Sequence, residues 1–358
     1  VCSCHLRNRF DGAQKGLSVR SQSGHEPRVI ETRLDVLAIG DAVVDVIAVA
    51  GDDFLIDEGL VKGSMQVLDA EGATRLYAKM SQARETSGGS AANTMAGVAA
   101  LGGRAGFVGQ VARDQLGEIF IHDIRALGVE FVTPARTGGA PTGRCLILVT
   151  PDAQRTMNTF RGAAHELSAE ALDPDQIRGA AILYLEAYLW RSAGPRAAMA
   201  EAMAIAHAAG RKVAFTLSDI ACIKPHRSEM MAMLDAGAID LLFANENEIR
   251  ELAGEADRDA AIAALQGKVP LIVVTCGADG ALAVERGRRV SVPVARLGTG
   301  IVDTTGAGDL FAAGFLVGQA RGRSLEDSLR MGAIAAAEVI SHFGARPEVD
   351  LKAMVADL

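Results

Sequence analysis

Aromatic side chains are scarce in this chain: one Trp, three Tyr and eleven Phe make up 4% of its 358 residues. No stripe of Lys and Arg with interleaved aromatics is present, and the net charge is −8. The electrostatic footprint of a nucleic-acid-binding protein is therefore missing. No apolar run reaches the roughly 18 residues that a membrane span needs. The five cysteines, Cys2, Cys4, Cys145, Cys222 and Cys276, are odd in number and scattered. They form no disulfide framework, and a reducing, cytoplasmic compartment is expected. The last three fall in or beside apolar stretches, where Cys usually serves as a small core residue. Cys2-Ser3-Cys4-His5 has no second ligand pair, and the seven His residues show no metal spacing. The P-loop pattern Gly-x-x-x-x-Gly-Lys-Ser/Thr is absent, as is the protein-kinase combination of a strand Lys with His-Arg-Asp. The first apolar strand is not followed by Gly-x-Gly-x-x-Gly, which argues against a Rossmann dehydrogenase.

What the chain does have is a hydrophobic fraction of 49%, much of it Ala, and 39 glycines. Small residues let helices lie close on a sheet, as in layered α/β proteins. The length suits one large α/β domain with a small accessory one. Residues 1–33 differ in character: they are polar, irregular and rich in Arg and Ser, and the first of them is Val. An over-extended start or a disordered tail is expected there. A targeting peptide is the alternative, but the stretch has no apolar segment for secretion and its acidic and Gly content is poor for a transit helix.

The fold signal starts at Leu34. Residues 34–39 read as a strand closed by Gly40-Asp41, and 43–49 continue apolar and β-branched. Between 52 and 63 the chain turns polar. Helical spacing runs over 70–83, 91–101 and 115–127, with a short strand at 105–109. Segments 144–150 and 156–160 suggest a hairpin around Pro151-Asp152. From Ala181 onward, strands at 181–186, 212–217, 240–243 and 271–275 alternate with helical stretches. That alternation predicts right-handed βαβ units and a mainly parallel sheet with helices on both faces. A β pair at 281–284 and 290–294 precedes two closing helices, near 309–321 and 325–341. Ligands of such sheets bind beyond the carboxyl ends of the strands.

One segment carries most of the chemistry. Asp303-Thr304-Thr305-Gly306-Ala307-Gly308-Asp309 runs directly into the apolar helix Leu310-Phe311-Ala312-Ala313-Gly314-Phe315-Leu316. A Gly-rich turn opening a helix aims several N–H groups at one point, and the helix dipole adds positive potential there. The N–H groups of Gly306, Ala307 and Gly308 form a hole for a phosphoryl group, and Asp309 at its rim can take a proton from a hydroxyl. The plainer alternative is a Gly-containing loop with Asp309 as a cap. A second segment, Gly88-Gly89-Ser90-Ala91-Ala92-Asn93, again opens a helix. Paired glycines let the backbone approach a polyol, and Asn93 offers both a donor and an acceptor. A Gly turn with a buried Asn is equally consistent. In Gly40-Asp41-Ala42-Val43-Val44-Asp45 a carboxylate at the strand end can take two neighbouring hydroxyls, or Asp41 can simply form the turn.

The run at 303–309 resembles the second signature of the ribokinase-like (PfkB) family of sugar and nucleoside kinases, and 88–103 resembles the first. The resemblance covers essentially Leu34 to the end. It implies a three-layer α/β/α ribokinase-like fold with a mainly parallel central sheet and a small β lid, drawn from segments within about 46–80 and 129–160. It implies that Asp45 binds substrate hydroxyls beside Asp41, Gly88, Gly89 and Asn93. Asn245 and Glu248 match the family's Asn-x-x-Glu motif, implied to position Mg²⁺ and phosphates largely through water, although a polar helix cap has the same pattern. Thr275, Gly277 and Gly280 look like the Thr-x-Gly-x-x-Gly turn beside the nucleotide phosphates, with Thr305 nearby. Arg155 corresponds to an Arg that helps neutralise the transferred phosphoryl group. Asn158 and Tyr188 are further candidates for substrate contact.

The expectation is an ATP-dependent kinase using Mg²⁺, with a monovalent cation as a further candidate, that phosphorylates a primary hydroxyl of a small molecule. The partners are that substrate and ATP, with neither nucleic acid nor membrane involved, in a monomer or homodimer. The stretches 40–45, 88–93, 155–160 and 185–190 resemble adenosine-kinase-like bacterial members most, so adenosine is the expected acceptor. A ribokinase- or fructokinase-like sugar kinase is the alternative within the same chemistry. A non-catalytic nucleotide- or metabolite-binding protein on the same fold is the alternative outside it.

Overall fold

The computed structural model describes residues 32–152, 154–296 and 300–358. Apart from its last two residues, the expected polar extension at 1–33 lies outside the described residues. The chain opens on β1 (Leu34–Ile39), β2 (Val43–Val49), α1 (Asp52–Asp57), β3 (Met65–Val67), α2 (Ala70–Lys79), β4 (Ala83–Gly88), α3 (Ser90–Ala100), β5 (Ala105–Val108) and α4 (Gln115–Ala126). It continues through β6 (Glu130–Phe131), β7 (Gly143–Val149), β8 (Arg155–Phe160), α5 (Pro174–Arg178), β9 (Ala180–Glu186), α6 (Ala193–Ala208), β10 (Lys212–Thr216) and α7 (Ile220–Asp235). The last elements are β11 (Leu241–Asn245), α8 (Glu246–Ala253), α9 (Arg258–Leu265), β12 (Leu271–Thr275), β13 (Ala281–Glu285), β14 (Arg288–Val292), α10 (Ala307–Ala320), α11 (Leu325–Val339) and α12 (Leu351–Met354).

β1 shows why the main sheet is central. All six of its residues are buried, with Val36 and Ala38 in the core on one face and Leu37 and Ile39 in the core on the other. A strand covered on both faces reads as a continuous apolar run, and such strands belong to parallel sheets sandwiched by helices. The nine strands lie in the order β14-β13-β12-β11-β10-β9-β1-β5-β6. Pairing is parallel from β12 through to β6. Only the β12–β13 and β13–β14 pairings are antiparallel, at one edge. This is the three-layer α/β arrangement expected from the alternation of strands and helices.

The Ala and Gly content has its use around α10, which is buried from Leu310 to Gly318. A Cβ on Gly314 would come within 2.5 Å of the Met331 backbone of α11. One on Gly97 of α3 would come within 2.7 Å of the Ala313 Cβ. The close α3–α10 contact brings the N-termini of those two helices together, and that sets the geometry of the site. No described helix is long and apolar enough to cross a membrane.

A second sheet has the order β3-β8-β7-β2-β4. The hairpin read at Pro151-Asp152 is β7 against β8. β4 is not legible from its own residues, Ala-Arg-Glu-Thr-Ser-Gly, which have little strand propensity. It forms because β2 offers an open edge from Val43 to Ala48, so tertiary pairing overrides local preference. The helix expected over 70–83 accordingly stops at Lys79. The polar stretch after Asp52 contains the single-turn helix α1. Cys145, Cys222 and Cys276 are buried free thiols, as expected of core residues.

Candidate active site

The carboxyl ends of the parallel strands form a row. Register aligns Asn245 with Thr275, Glu186 with Thr216 and Leu185 with Ile39. Gly40 and Asp41 follow immediately after β1. From β1 to β11 is three strand spacings, roughly 14 Å. Residues expected to meet a nucleotide therefore lie to one side, and those expected to meet an acceptor lie to the other. α10 packs against β1, β9 and α3.

Gly306 makes that N-terminus possible. Its φ of +77 places it in the left-handed region, and a Cβ there would lie 2.7 Å from the Ala345 Cβ. The bend is braced by Asp303. Its Oδ1 accepts from Thr305 N at 3.1 Å and Thr305 Oγ1 at 2.8 Å, and its Oδ2 accepts from Gly344 N at 3.0 Å. No described side chain caps α10. Ala307 N donates to Thr304 O at 3.3 Å and so belongs partly to the turn itself. A Cβ on Gly308 would meet nothing within 4 Å, so open space lies over the first helical turn. Uncapped N–H groups facing open space make a ready anion site.

Asp309 sits half-buried at the rim of this site. Its Oδ1 accepts from Ser90 Oγ at 2.6 Å and its Oδ2 from Asn93 Nδ2 at 3.1 Å. The turn at 88–93 and the turn at 303–309 thus meet at one carboxylate. Burial pushes this group up to about 6, opposed by the Ser90 and Asn93 hydrogen bonds and by Arg346. Asp45, at the start of β2, is likewise pushed up to about 6 by burial, opposed by Arg346 and Arg155. A side chain on Gly88 would overlap the Asp45 carboxyl, and one on Gly89, at φ +98, would overlap the Asp41 carbonyl. The paired glycines are therefore what lets the acidic strand end and α3 touch.

Asp41 is positioned by a residue that the sequence reading missed. Glu186, fully buried at the end of β9, accepts from Asp41 N at 2.6 Å and from Ala91 N at 2.7 Å. Burial, with the Asp41 charge alongside, raises its pKa well above the usual carboxylate range. A single acidic residue closing an apolar strand was the available signal. His165 was also missed: its Nε2 lies 3.4 Å from Asp41 Oδ1, and neither atom has a hydrogen-bond partner.

Arg155 reaches from β8 of the small sheet to the Gly-rich loop. It donates to Thr305 Oγ1 at 2.6 Å and pairs with Asp303 Oδ2 at 2.8 Å, and both charged side chains are about one-tenth exposed or less. Asn158 is fully buried within the small sheet, donating to Leu146 O at 3.2 Å and accepting from Gln66 Nε2 at 2.6 Å. Tyr188 Oη donates to Ser218 O at 3.4 Å.

On the nucleotide side, Asn245 and Glu248 form a reciprocal capping box at the start of α8. Glu248 Oε2 accepts from Asn245 N at 2.9 Å and Oε1 from Asn245 Nδ2 at 2.7 Å. Burial pushes Glu248 up to about 7. Among the described residues, no group of three or more His, Cys, Asp or Glu could hold a metal ion. Thr275 ends β12, and Gly277 and Gly280, both at positive φ, turn the chain into β13. Replacing Asn245 with Ala removes the cap and should cost about 1 kcal/mol, read by urea unfolding.

The raised carboxyls have a consequence for pH. A carboxyl whose pKa is higher folded than unfolded holds its proton more tightly when folded. Asp45 and Asp309 therefore contribute stability below about pH 4, and lose it as pH rises through about 6. For each group the ionised form is the less stable one in the folded protein. Asp45→Asn should flatten this part of the profile, so that its melting temperature falls less than the wild type's between pH 4.5 and 7. A wild-type-like slope would count against the raised value.

The model of the family described as pfkB family carbohydrate kinase matches residues 59–351. The adenosine kinase of Sinorhizobium meliloti superposes with a TM-score of 0.84 at 46% identity, covering 91% of this chain and 99% of that one. A probable sugar kinase protein from Rhizobium etli CFN 42 gives 0.84 at 43% identity, covering 91% and 98%. The 5-dehydro-2-deoxygluconokinase of Shouchella clausii is 30% identical over 263 residues, 71% of this chain and 80% of the relative.

Proposed function

This chain belongs to the pfkB family of carbohydrate kinases, and on that premise we propose that it transfers the γ-phosphoryl group of ATP to the primary hydroxyl of a nucleoside, adenosine first. One observation carries the chemistry: a carboxylate held by Ser90 and Asn93 stands at the uncapped N-terminus of α10. In this reading Asp309 takes the hydroxyl proton. The freed oxygen forms a bond to the γ-phosphorus, the bond from that phosphorus to the β,γ-bridging oxygen breaks, and its electron pair leaves with ADP. The N–H groups of the 306–308 turn, Gly308 foremost, hold the charge on the migrating group. A pKa of about 6 leaves Asp309 ionised at neutral pH yet basic enough to share a proton.

Asp41 and Asp45, the latter packed against the Gly88 backbone, face the acceptor's hydroxyls. The unpartnered Asp41 Oδ1 and His165 Nε2 supply an acceptor and a ring nitrogen to the same ligand. Arg155, whose Nε has no hydrogen-bond partner, lends charge to the phosphoryl oxygens and ties the small sheet down over the site. Thr275, Gly277 and Gly280 flank the nucleotide phosphates, with Thr305 beside the γ-phosphoryl group. Asn245 and Glu248, one amide and one carboxylate joined in a capping box, are too few donors for a direct Mg²⁺ cage and would hold the ion through its water shell. No step here runs through a metal.

Likeness to the Sinorhizobium adenosine kinase over nearly its whole length supports a nucleoside acceptor. A free sugar is the second reading, favoured by the relatives that are sugar kinases. An ADP-release screen over adenosine, inosine, guanosine, ribose and fructose separates the two. Adenosine should give the highest kcat/KM. Preference for ribose or fructose would move the assignment to the sugar reading, and no release with any acceptor would favour a binding protein.

A further inference from the structure

The segment after α11 is absent from every step above, yet it touches both signature turns. Gly344 N donates to Asp303 Oδ2 at 3.0 Å, and Ala345 packs under Gly306. Arg346 Nη1 donates to Ala92 O at 3.0 Å, and its Nη2 donates to Ser87 O and, at 3.0 Å, to Ser87 Oγ. Ser87 precedes the Gly88–Ser90 turn and Ala92 follows it, so one guanidinium grips both ends of the turn that orients Asp309. Glu338, nearly fully buried near the end of α11, holds the segment from the other side. It meets His342 Nε2 at 3.1 Å and accepts from Glu348 N at 2.9 Å.

We propose that Arg346 is a positioning residue for phosphoryl transfer: it clamps the 88–92 turn so that Ser90 and Asn93 present Asp309, and it sets a positive charge behind that turn. This rests on the kinase reading above. Its charge acts on Asp45, Asp123 and Asp309, and makes a direct ion pair with none of them. A planar guanidinium gripping two carbonyls is a geometry that Lys cannot reproduce. The charged or titratable groups around Asp309 are Asp45 of β2, Tyr184 and Glu186 of β9, Tyr188 just beyond it, and Arg346. Arg155 of β8 acts on Asp45. Arg346 is the cation that acts on both carboxylates.

The test is the pH profile of kcat/KM for two variants. Arg346→Gln removes the charge and most of the grip. Its acidic limb should move up by about one pH unit, a loss of about fivefold at pH 6 that approaches about tenfold at pH 5, beyond any uniform drop. Arg346→Lys keeps the charge and loses the two-point grip, so kcat should fall about tenfold with the acidic limb unmoved. A Gln variant with the wild-type limb, or a Lys variant with wild-type kcat, would overturn the proposal. If Arg346→Gln does not fold, Arg346→Lys decides alone: a shifted limb or an unchanged kcat refutes it. A wild-type enzyme with no acidic limb, or an active Asp309→Asn, would instead mean that Asp309 is not the base in the reading above, and no ADP release with any acceptor would mean that the kinase reading itself is wrong.

Discussion

Asp309→Asn should lower kcat by about 10³-fold, within the range that general bases contribute, and leave the fold intact. The amide fills the same space as the carboxyl. Its oxygen can still accept from Ser90 Oγ, and a flip of the Asn93 amide lets its own oxygen accept from the new nitrogen. The substitution also removes the cost of ionising a carboxyl that burial pushes up to about 6. At pH 8 the variant should therefore unfold at the same or a higher denaturant concentration than wild type, and ATP should bind with unchanged affinity. Loss of activity with equal or greater stability is the signature of a group kept for chemistry rather than for packing. A variant that loses stability and activity together would point to a structural carboxylate.

The second large effect is expected at Gly308. A Cβ there meets no protein atom within 4 Å, and the residue lies in the first turn of α10, where Ala is a better helix former than Gly by up to about 1 kcal/mol. Nothing in the fold asks for glycine at this place. The proposed transfer, which needs space for a phosphoryl group, does. Gly308→Ala should thus fold at least as well as wild type while kcat/KM falls by about 10²-fold, the scale of losing one preorganised anion contact. Gly306→Ala is the contrasting control. Its Cβ would crowd Ala345, and its φ of +77 disfavours any side chain, so stability and activity should drop together. If Gly308→Ala were fully active, the open space above α10 would not be where the transferred group sits.

These sites differ in how far the sequence alone reveals them. The Gly-rich turn is local: Asp303, Gly306 and Asp309 lie within seven residues, and the apolar helix that follows announces its own N-terminus. β1 is legible for the same reason, since burial on both faces imposes the apolar run from Val36 to Ile39, broken only by Asp35 near its start. Glu186 and Arg346 are not legible. Glu186 reaches Asp41 across 145 residues and Arg346 reaches Ser87 across 259. Their roles exist only once β9 lies beside β1 and the chain beyond α11 folds back under α3. Asn245 and Glu248 fail differently. A capping box and a metal-positioning pair share one spacing, because both need a carboxylate one helical turn beyond a polar strand end. The structure displays the capping box, and the phosphate role stays a proposal. Asn158 faced the same ambiguity: a polar residue at alternate spacing on a strand can face a ligand or a partner strand, and here its hydrogen bonds run to Leu146 and Gln66.

Proton-coupled ³¹P NMR of the reaction, run with ATP and whichever acceptor the screen selects, tests the account most directly. Transfer to a primary hydroxyl beside Asp309 predicts a new phosphomonoester signal split into a triplet by the two protons on the carbon bearing the ester oxygen. That signal should be missing when Asp309→Asn replaces the wild type. Orthophosphate alone, a doublet from a secondary alcohol, or the same triplet growing at the wild-type rate with Asp309→Asn would contradict it.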